Sequence, residues 1–127
     1  YQIQPDERKM VETQFDMEDG YEAARILMER NVPFDGIFCA TAELAFGAMS
    51  YLRQQNVHVP EQVKVSAVGN NRLATLYDPP LTTVSLSHRT GGSEAAAMLL
   101  ELIQEQEIPR RSEKMICCLH ERKSTLG

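Results

Sequence analysis

The sequence lacks tryptophan, and aromatic residues make up only 6% of its 127 positions. It also lacks a long apolar run, since a helix needs about 20 consecutive apolar residues to cross a bilayer. We therefore expect no membrane partner. Residues 1–9 contain neither an initiator Met nor the apolar core of a signal peptide. We accordingly expect the chain to be a segment of a longer protein.

Cysteine is scarce, with three residues in the chain. Cys39 lies in an apolar run typical of a buried strand, whereas the neighbours Cys117 and Cys118 should point to opposite faces of another strand. No C-x-x-C or H-x-x-x-H spacing is present, so we predict no metal site and no cofactor. An odd number of cysteines without a disulfide framework favours the reducing cytoplasm.

Acidic residues outnumber basic ones: the chain has 13 Lys and Arg and 18 Asp and Glu, which gives a net charge of −5. The short basic clusters are Pro109-Arg110-Arg111 and Glu121-Arg122-Lys123. Proteins that grip nucleic acid need concentrated positive charge to displace counterions from phosphates. We therefore expect this chain to contact DNA only through a part of the protein outside these 127 residues.

The pattern that is present alternates strands with helices. We predict strands over residues 36–40, 63–69, 81–86 and 114–120, and helices over residues 17–30, 42–55, 72–77 and 93–106. Asp16 and Thr41 are the N-cap candidates of the first two helices. Short connections between alternating elements indicate an α/β fold with a mostly parallel sheet flanked by helices.

Three of these elements carry more specific expectations. The strand at residues 36–40 is apolar throughout, which predicts burial on both faces. The helix at residues 42–55 is apolar around most of its circumference and needs two partners, which we assign to the sheet and to a second subunit or domain. For the helix at residues 93–106 we predict a core stripe, consisting of Ala96, Leu99, Leu100 and Ile103.

Ligands of parallel sheets collect at the carboxyl ends of the strands. Here those ends are Thr41, after the first strand, and Gly69, Asn70 and Asn71, after the second. Their neutral hydrogen-bonding groups suit a polyhydroxyl ligand. In the alternative interpretation, Thr41 only caps its helix and the two asparagines only shape a turn.

Catalytic motifs are missing from the sequence, which has neither a G-x-S-x-G elbow nor a P-loop. Gly91 and Gly92 precede a predicted helix and are interpreted as its start rather than as an anion cradle. His58, His88 and His120 have no Ser or Cys nucleophile beside them in sequence, so we expect surface or packing roles. The chain is not expected to be an enzyme.

Three stretches resemble the LacI/GalR family of transcriptional regulators. Phe38–Met49, FCATAELAFGAM, is similar to the family's FCANDEMALGAL, and residues 59–84 are similar to VPEDVSVVGFDD followed by PPLTTV. Leu119–Leu126, LHERKSTL, resembles the terminal LVxRxST. Their order and spacing hold across residues 36–126, which makes the combined resemblance specific.

The resemblance implies a partial periplasmic-binding-protein-like type I fold, in which a sugar or purine lies between two lobes. Residues 1–127 would form the C-terminal part of the effector-binding domain, and residues 87–112 look like the segment that crosses to the N-terminal lobe. The DNA-binding headpiece and most of that lobe would lie outside this chain. Function would be that of a cytoplasmic repressor whose operator binding, through a helix-turn-helix, is modulated by a small sugar.

The family's ligand-binding positions fall on four residues of this chain. Phe15 matches the aromatic that stacks on the ligand, and Thr41 matches the residue that hydrogen-bonds it after the strand. Gly69 aligns with the family's ligand-binding Asp, and Asn70 follows it. The family's Asn-Asp is replaced by Thr41-Ala42, so this position and that of Gly69 each lose one carboxylate, which points to another sugar class, such as a disaccharide.

The resemblance also implies a homodimer. Its interface would include Phe46, Met49, Leu52, Tyr77, Pro79 and Pro80. Two rival functions remain: a periplasmic-type sugar-binding receptor of a transporter, which shares the fold and would carry an upstream signal peptide, and a flavodoxin-like enzyme domain.

Overall fold

A computed structural model of the chain describes residues 4–85, 88–104 and 114–126. After a short 3-10 helix at Glu7–Lys9, the elements are α1 (Met17–Glu29), β1 (Gly36–Cys39), α2 (Ala42–Gln54), β2 (Lys64–Val68), α3 (Leu73–Leu76), β3 (Thr82–Ser85), α4 (His88–Ile103) and β4 (Cys118–His120). Within those ranges, no helix combines the length and apolarity needed to traverse a bilayer.

The four strands form one sheet in the order β1-β2-β3-β4. β1 pairs with β2, and β2 with β3, in parallel, whereas β4 runs antiparallel to β3. The predicted α/β fold with a mostly parallel sheet is therefore confirmed. Because β1 to β3 are parallel, their carboxyl ends lie at one edge of the sheet.

Both predicted helix caps are confirmed. The Asp16 carboxylate accepts a hydrogen bond from the Asp19 backbone N–H at 2.9 Å, and the Asp19 carboxylate accepts one from the Asp16 N–H at 3.4 Å, closing a capping box on α1. The Thr41 hydroxyl accepts the Leu44 N–H at 3.3 Å at the start of α2. Each cap satisfies backbone N–H groups that have no partner within their own helix.

Helix α2 packs against α1 on one side and against β1 and β2 on another. Two glycines bring α1 and α2 into backbone contact: a Cβ on Gly47 would lie 1.9 Å from the Met17 carbonyl oxygen, and one on Gly20 would lie 2.1 Å from that of Leu44. The second partner of α2 is thus α1 of the same chain. The prediction that a second subunit or domain must cover this helix was wrong on this point.

Strand β1 is not buried on both faces. Cys39 is buried beneath the helices, but Phe38, its neighbour, is 68% exposed. Successive side chains of a strand point to opposite faces, and α2 covers only the face that carries Cys39. The apolar sequence of the strand therefore predicted more burial than the described helices provide.

Helix α4 begins at His88, five residues before the predicted start, so Gly91 and Gly92 lie inside the helix. The predicted core stripe is exposed: Leu99, Leu100 and Ile103 retain 57%, 58% and 66% of their accessible surface. The prediction that this stripe is part of the core was wrong for this chain, because no described element packs over it. The predicted helix end at residues 105–106, strand residue Leu86 and the basic cluster Pro109-Arg110-Arg111 lie outside the described residues.

The C-terminal segment is fastened to the centre of the sheet by a buried serine. The Ser124 hydroxyl donates to the Val65 carbonyl oxygen at 2.6 Å and accepts the Thr82 N–H at 2.8 Å. β4 itself is shorter than the predicted strand at residues 114–120, and both Cys117 and Cys118 are exposed. The segment thereby bonds to both β2 and β3 through the Ser124 side chain, in addition to the pairing of β4 with β3.

Candidate functional site

Thr41 and Phe15 meet at the carboxyl end of β1. The Thr41 hydroxyl donates to the Phe15 carbonyl oxygen at 3.5 Å while it accepts the Leu44 N–H. The Phe15 ring itself is 68% exposed. The hydroxyl is thus largely engaged within the chain, whereas the aromatic face of Phe15 is open to solvent.

The turn after β2 lies beside the start of α2. Gly69 has a φ of +100°, a conformation that favours glycine, and its N–H donates to the Val84 carbonyl oxygen at 2.9 Å. A Cβ at this position would lie 3.9 Å from the Ala42 nitrogen. The structure therefore brings Phe15, Thr41 and Gly69 to one edge, and the parallel sheet had predicted this for Thr41 and Gly69.

Asn70 is exposed, but its side-chain oxygen is held by the chain. Oδ1 accepts hydrogen bonds from the Thr83 hydroxyl at 3.2 Å and from Nη2 of Arg122 at 2.7 Å. The sequence pointed to Arg122 only as part of a short basic cluster and of a terminal motif, and its contact with Asn70 was missed. Nothing in the local sequence signals a contact across 52 positions.

Asn71 connects the same turn to α2. Its Nδ2 donates to Oε1 of Glu43 at 2.8 Å, and its Oδ1 accepts the Ala74 N–H at 3.1 Å, at the start of α3. Glu43 lies next to Ala42, where the family's carboxylate is replaced. The edge therefore carries a carboxylate that the sequence comparison at Thr41, Ala42 and Gly69 did not identify.

A groove of about 970 Å³ runs between β1 and the chain that leads to α1. Its lining is largely apolar and includes Phe15 and Phe38, but not Thr41, Gly69 or Asn70. Phe15 thus borders both the groove and the edge formed by the turns. Among the described residues, no group of His, Cys, Asp and Glu could hold a metal ion.

One Ser–His pair was also missed. His120 Nε2 lies 3.0 Å from the Ser85 hydroxyl across the β3–β4 pair. The two residues are 35 positions apart, so only the antiparallel register brings them together. In the described part of the chain, no carboxylate hydrogen-bonds to the His120 ring, so the third member of a catalytic triad is missing there.

The six residues of the predicted dimer interface divide into two groups. Phe46, Met49 and Leu52 are buried within the chain itself and offer no surface to a second copy. Tyr77, Pro79 and Pro80 are half-buried. The Tyr77 ring stacks on Phe46 at a centroid distance of 4.9 Å, and its hydroxyl donates to the Phe46 carbonyl oxygen at 3.0 Å.

A family model described as a periplasmic binding protein-like domain matches residues 1–125. The chain belongs to this family. The match covers the whole of the described sheet together with α1 to α4, and it agrees with the mostly parallel topology.

The relatives of this domain are LacI-type regulators. The chain is 34% identical over 110 residues to the HTH-type transcriptional regulator RegA of Clostridium saccharobutylicum, covering 87% of the chain and 33% of RegA. It is 32% identical over 123 residues to the HTH-type transcriptional repressor CytR of Escherichia coli, covering 97% of the chain and 36% of CytR. The chain therefore spans about a third of the length of these relatives.

A solved structure of a transcriptional regulator has the same fold as this chain. The structure of a transcriptional regulator CelR–cellobiose complex superimposes with a TM-score of 0.90 at 26% identity, covering 96% of this chain and 37% of that one. The predicted resemblance to the effector-binding domain of LacI-type regulators is confirmed.

Proposed function

We propose that the chain is the effector-sensing part of a LacI-family transcriptional repressor and that it binds a small sugar. The observation that carries the proposal is the meeting of two turns at one edge of the sheet, joined by the 2.8 Å hydrogen bond between Asn71 and Glu43. Parallel sheets bind their ligands at such edges. The relatives named above, which are regulators and not enzymes, support a role in regulation rather than catalysis.

The groups at this edge suit a sugar. Phe15 offers an exposed aromatic face for the apolar side of a pyranose ring, and Glu43 offers a carboxylate oxygen to hydroxyl groups. Thr41, Gly69 and Asn70 complete the proposed ligand contacts. A disaccharide such as maltose, sucrose or trehalose is the proposed class, and the cellobiose named with the structural neighbour is of that class.

The remainder of the cleft would come from a longer protein. The exposed apolar surface of α4 supports the proposal that residues 87–112 cross to an N-terminal lobe, where Leu99, Leu100 and Ile103 would be covered. The acidic chain supports the proposal that DNA is bound only by a helix-turn-helix outside it. A cytoplasmic location follows from that role.

We propose a homodimer formed around the half-buried Tyr77, Pro79 and Pro80. Leu73 and Leu76 of the neighbouring α3 are 51% and 65% exposed and would extend the same surface. Sugar binding would shift the lobes across this dimer and so bias the protein between operator-bound and free states. Replacing Leu76 by Asp should dissociate the dimer, which sedimentation of the full-length protein would measure.

The decisive experiment is calorimetric titration of the full-length protein with cellobiose, maltose, sucrose and trehalose. Phe15→Ala should weaken binding about tenfold, equivalent to roughly 1.4 kcal/mol. Leu119→Ala is the matched control, because Leu119 is similarly exposed, at 62%, but lies on β4 at the opposite edge of the sheet from β1 and outside the groove. Equal effects of the two substitutions, or no binding of any sugar, would contradict the proposed site.

A periplasmic-type receptor of a transporter would also bind sugar, so DNA binding separates the two functions. In a repressor, the sugar must change the affinity for operator DNA by the same factor by which the operator changes the affinity for sugar. Binding of the full-length protein to the DNA upstream of its own gene, measured with and without the sugar, tests this coupling. Sugar binding without any DNA binding would favour the transporter receptor.

A further inference from the structure

The Arg122 guanidinium closes a small ring of hydrogen bonds at the turn after β2. Nη1 donates to the Thr83 hydroxyl at 3.1 Å, that hydroxyl donates to Oδ1 of Asn70 at 3.2 Å, and Nη2 donates to the same Oδ1 at 2.7 Å. A further bond from Nη1 to the Leu81 carbonyl oxygen fixes the guanidinium to the start of β3. The ring therefore ties the turn to β3 and to the C-terminal segment.

This ring determines which end of the Asn70 amide faces the protein. A guanidinium carries only hydrogen-bond donors, so the amide group nearest to it must be the oxygen and not the NH2. The orientation of an asparagine amide is often ambiguous, but a neighbouring arginine resolves it chemically. Thr83, which is fully buried, donates its single hydroxyl proton to the same oxygen.

The consequence lies at the other end of the amide. Nδ2 of Asn70 donates to no acceptor among the described residues, and the side chain is exposed. Its neighbour Asn71 differs, because Nδ2 and Oδ1 of Asn71 are both occupied by Glu43 and by the start of α3. At this turn, Asn70 is thus a donor with free capacity, and Glu43 beside it is an acceptor.

We propose that Arg122 is a positioning residue, which orients Asn70 so that Nδ2 donates to an acceptor oxygen of the bound sugar. This inference rests on the proposed function, since it names a further contact at the same edge. Arg122 does not touch the ligand itself. Asn70 would select ligands that present an acceptor, while the Glu43 carboxylate beside it accepts from a hydroxyl group.

Two substitutions in the full-length protein separate the parts of this proposal. Asn70→Asp keeps an oxygen toward Arg122 but removes both Nδ2 donors, so cellobiose affinity should fall at least tenfold while amide hydrogen exchange of residues 69–71 stays unchanged. Arg122→Met removes the guanidinium, so exchange at residues 69–71 should accelerate and the affinity should fall as well. Arg122→Lys keeps the positive charge on a single donor nitrogen, so it should restore part of the protection from exchange and part of the affinity that Arg122→Met loses.

Arg53→Met is the matched control, because Arg53 is exposed in the last turn of α2, whereas the turn after β2 contacts Glu43 in the first turn of that helix. It should change neither the exchange rates nor the affinity. A thermal unfolding midpoint is measured for every variant, so that a variant that fails to fold is recognised. If Arg122→Met does not fold, Arg122→Lys takes its place in the comparison.

Each outcome decides one part. Unchanged cellobiose affinity in Asn70→Asp overturns the donor role of Asn70, and unchanged exchange in Arg122→Met overturns the positioning role of Arg122. If the unsubstituted protein binds no sugar, the proposed function and the ligand contact of Asn70 both fail. The exchange rates would still decide whether Arg122 orders the turn, so the two failures are distinguishable.

Discussion

Helices α2 and α4 are both rich in Ala, Leu and Met, yet their surroundings are opposite. In α2, Phe46 and Leu52 have no accessible surface, whereas Leu99 and Leu100 of α4 keep more than half of theirs. The difference lies in what surrounds each helix. α2 is covered by the sheet and by α1, which approaches to backbone contact at Gly20 and Gly47. Apolar composition therefore shows that a helix needs a partner, but the partner determines whether it is buried.

The largest difference expected between the buried and the open regions is in thiol reactivity. Cys39 belongs to the core beneath α2, where burial raises the pKa of its thiol to about 12, whereas Cys117 and Cys118 are exposed. Because the thiolate is the reactive form, Cys39 should react with DTNB at pH 8 about a thousandfold more slowly than an ordinary thiol. Mass spectrometry should find two modified cysteines in the native chain and three after denaturation. Rapid modification of all three without denaturant would contradict the burial of Cys39.

Truncating one apolar side chain in each helix tests the comparison through stability. Phe46→Ala should lower the free energy of unfolding by about 4 kcal/mol, because it removes a fully buried ring and leaves a cavity. Leu100→Ala in α4 should change it by no more than about 0.5 kcal/mol, as exposed positions usually do. Urea unfolding of both variants measures the difference, and similar losses would show that α4 is packed in solution.

Two glycine substitutions should change the free energy of unfolding by smaller amounts and in opposite directions. Gly47→Ala places a methyl group where it meets backbone atoms of α1, so stability should fall by about 2 kcal/mol from overpacking. At Gly92 of α4 a Cβ would meet nothing within 4 Å. Gly92→Ala should therefore stabilise the helix by up to about 1 kcal/mol through its higher helix propensity. Calorimetric melting of the two variants checks both signs, and a stabilised Gly47→Ala would show that α1 can move away.

The smallest effect on stability is expected from polar residues on α4. Leu99→Lys combined with Leu100→Glu should leave the free energy of unfolding within about 0.5 kcal/mol of the original value. The same pair should reduce self-association of the isolated 127-residue chain, since it breaks an exposed apolar surface. Sedimentation velocity measures the association. A large loss of stability would instead place these leucines in a core.

The sequence was most informative where the physical cause is local. The order of strands and helices, the caps at Asp16 and Thr41 and the carboxyl-end position of Gly69 all follow from periodicity, from side chains that bond nearby N–H groups and from the conformational freedom of glycine. The element boundaries shifted most at α4, where Gly91 and Gly92 were interpreted as a helix start. Glycine is tolerated inside a helix at a modest energetic cost.

Contacts between distant segments were not predictable from the pattern. The bonds from Arg122 to Asn70 and from Asn71 to Glu43, and the pair of Ser85 and His120, join residues 28 to 52 positions apart. Local propensity contains no information on such pairs. The exposure of Phe38 was unpredictable for the same reason, since an apolar strand does not reveal which of its faces a helix covers.

The Ser124 tether has a consequence for the order in which the molecule assembles. Its hydroxyl joins Val65 and Thr82, 59 and 42 positions earlier in the chain, so the centre of the sheet acquires these bonds only after residue 124 has been synthesised. Closing such long loops slows folding, because chain entropy is lost before the contact is gained. We expect α1, β1 and α2 to pack before Ser124 is available, and the bonds from Ser124 to β2 and β3 to form in a late step of folding.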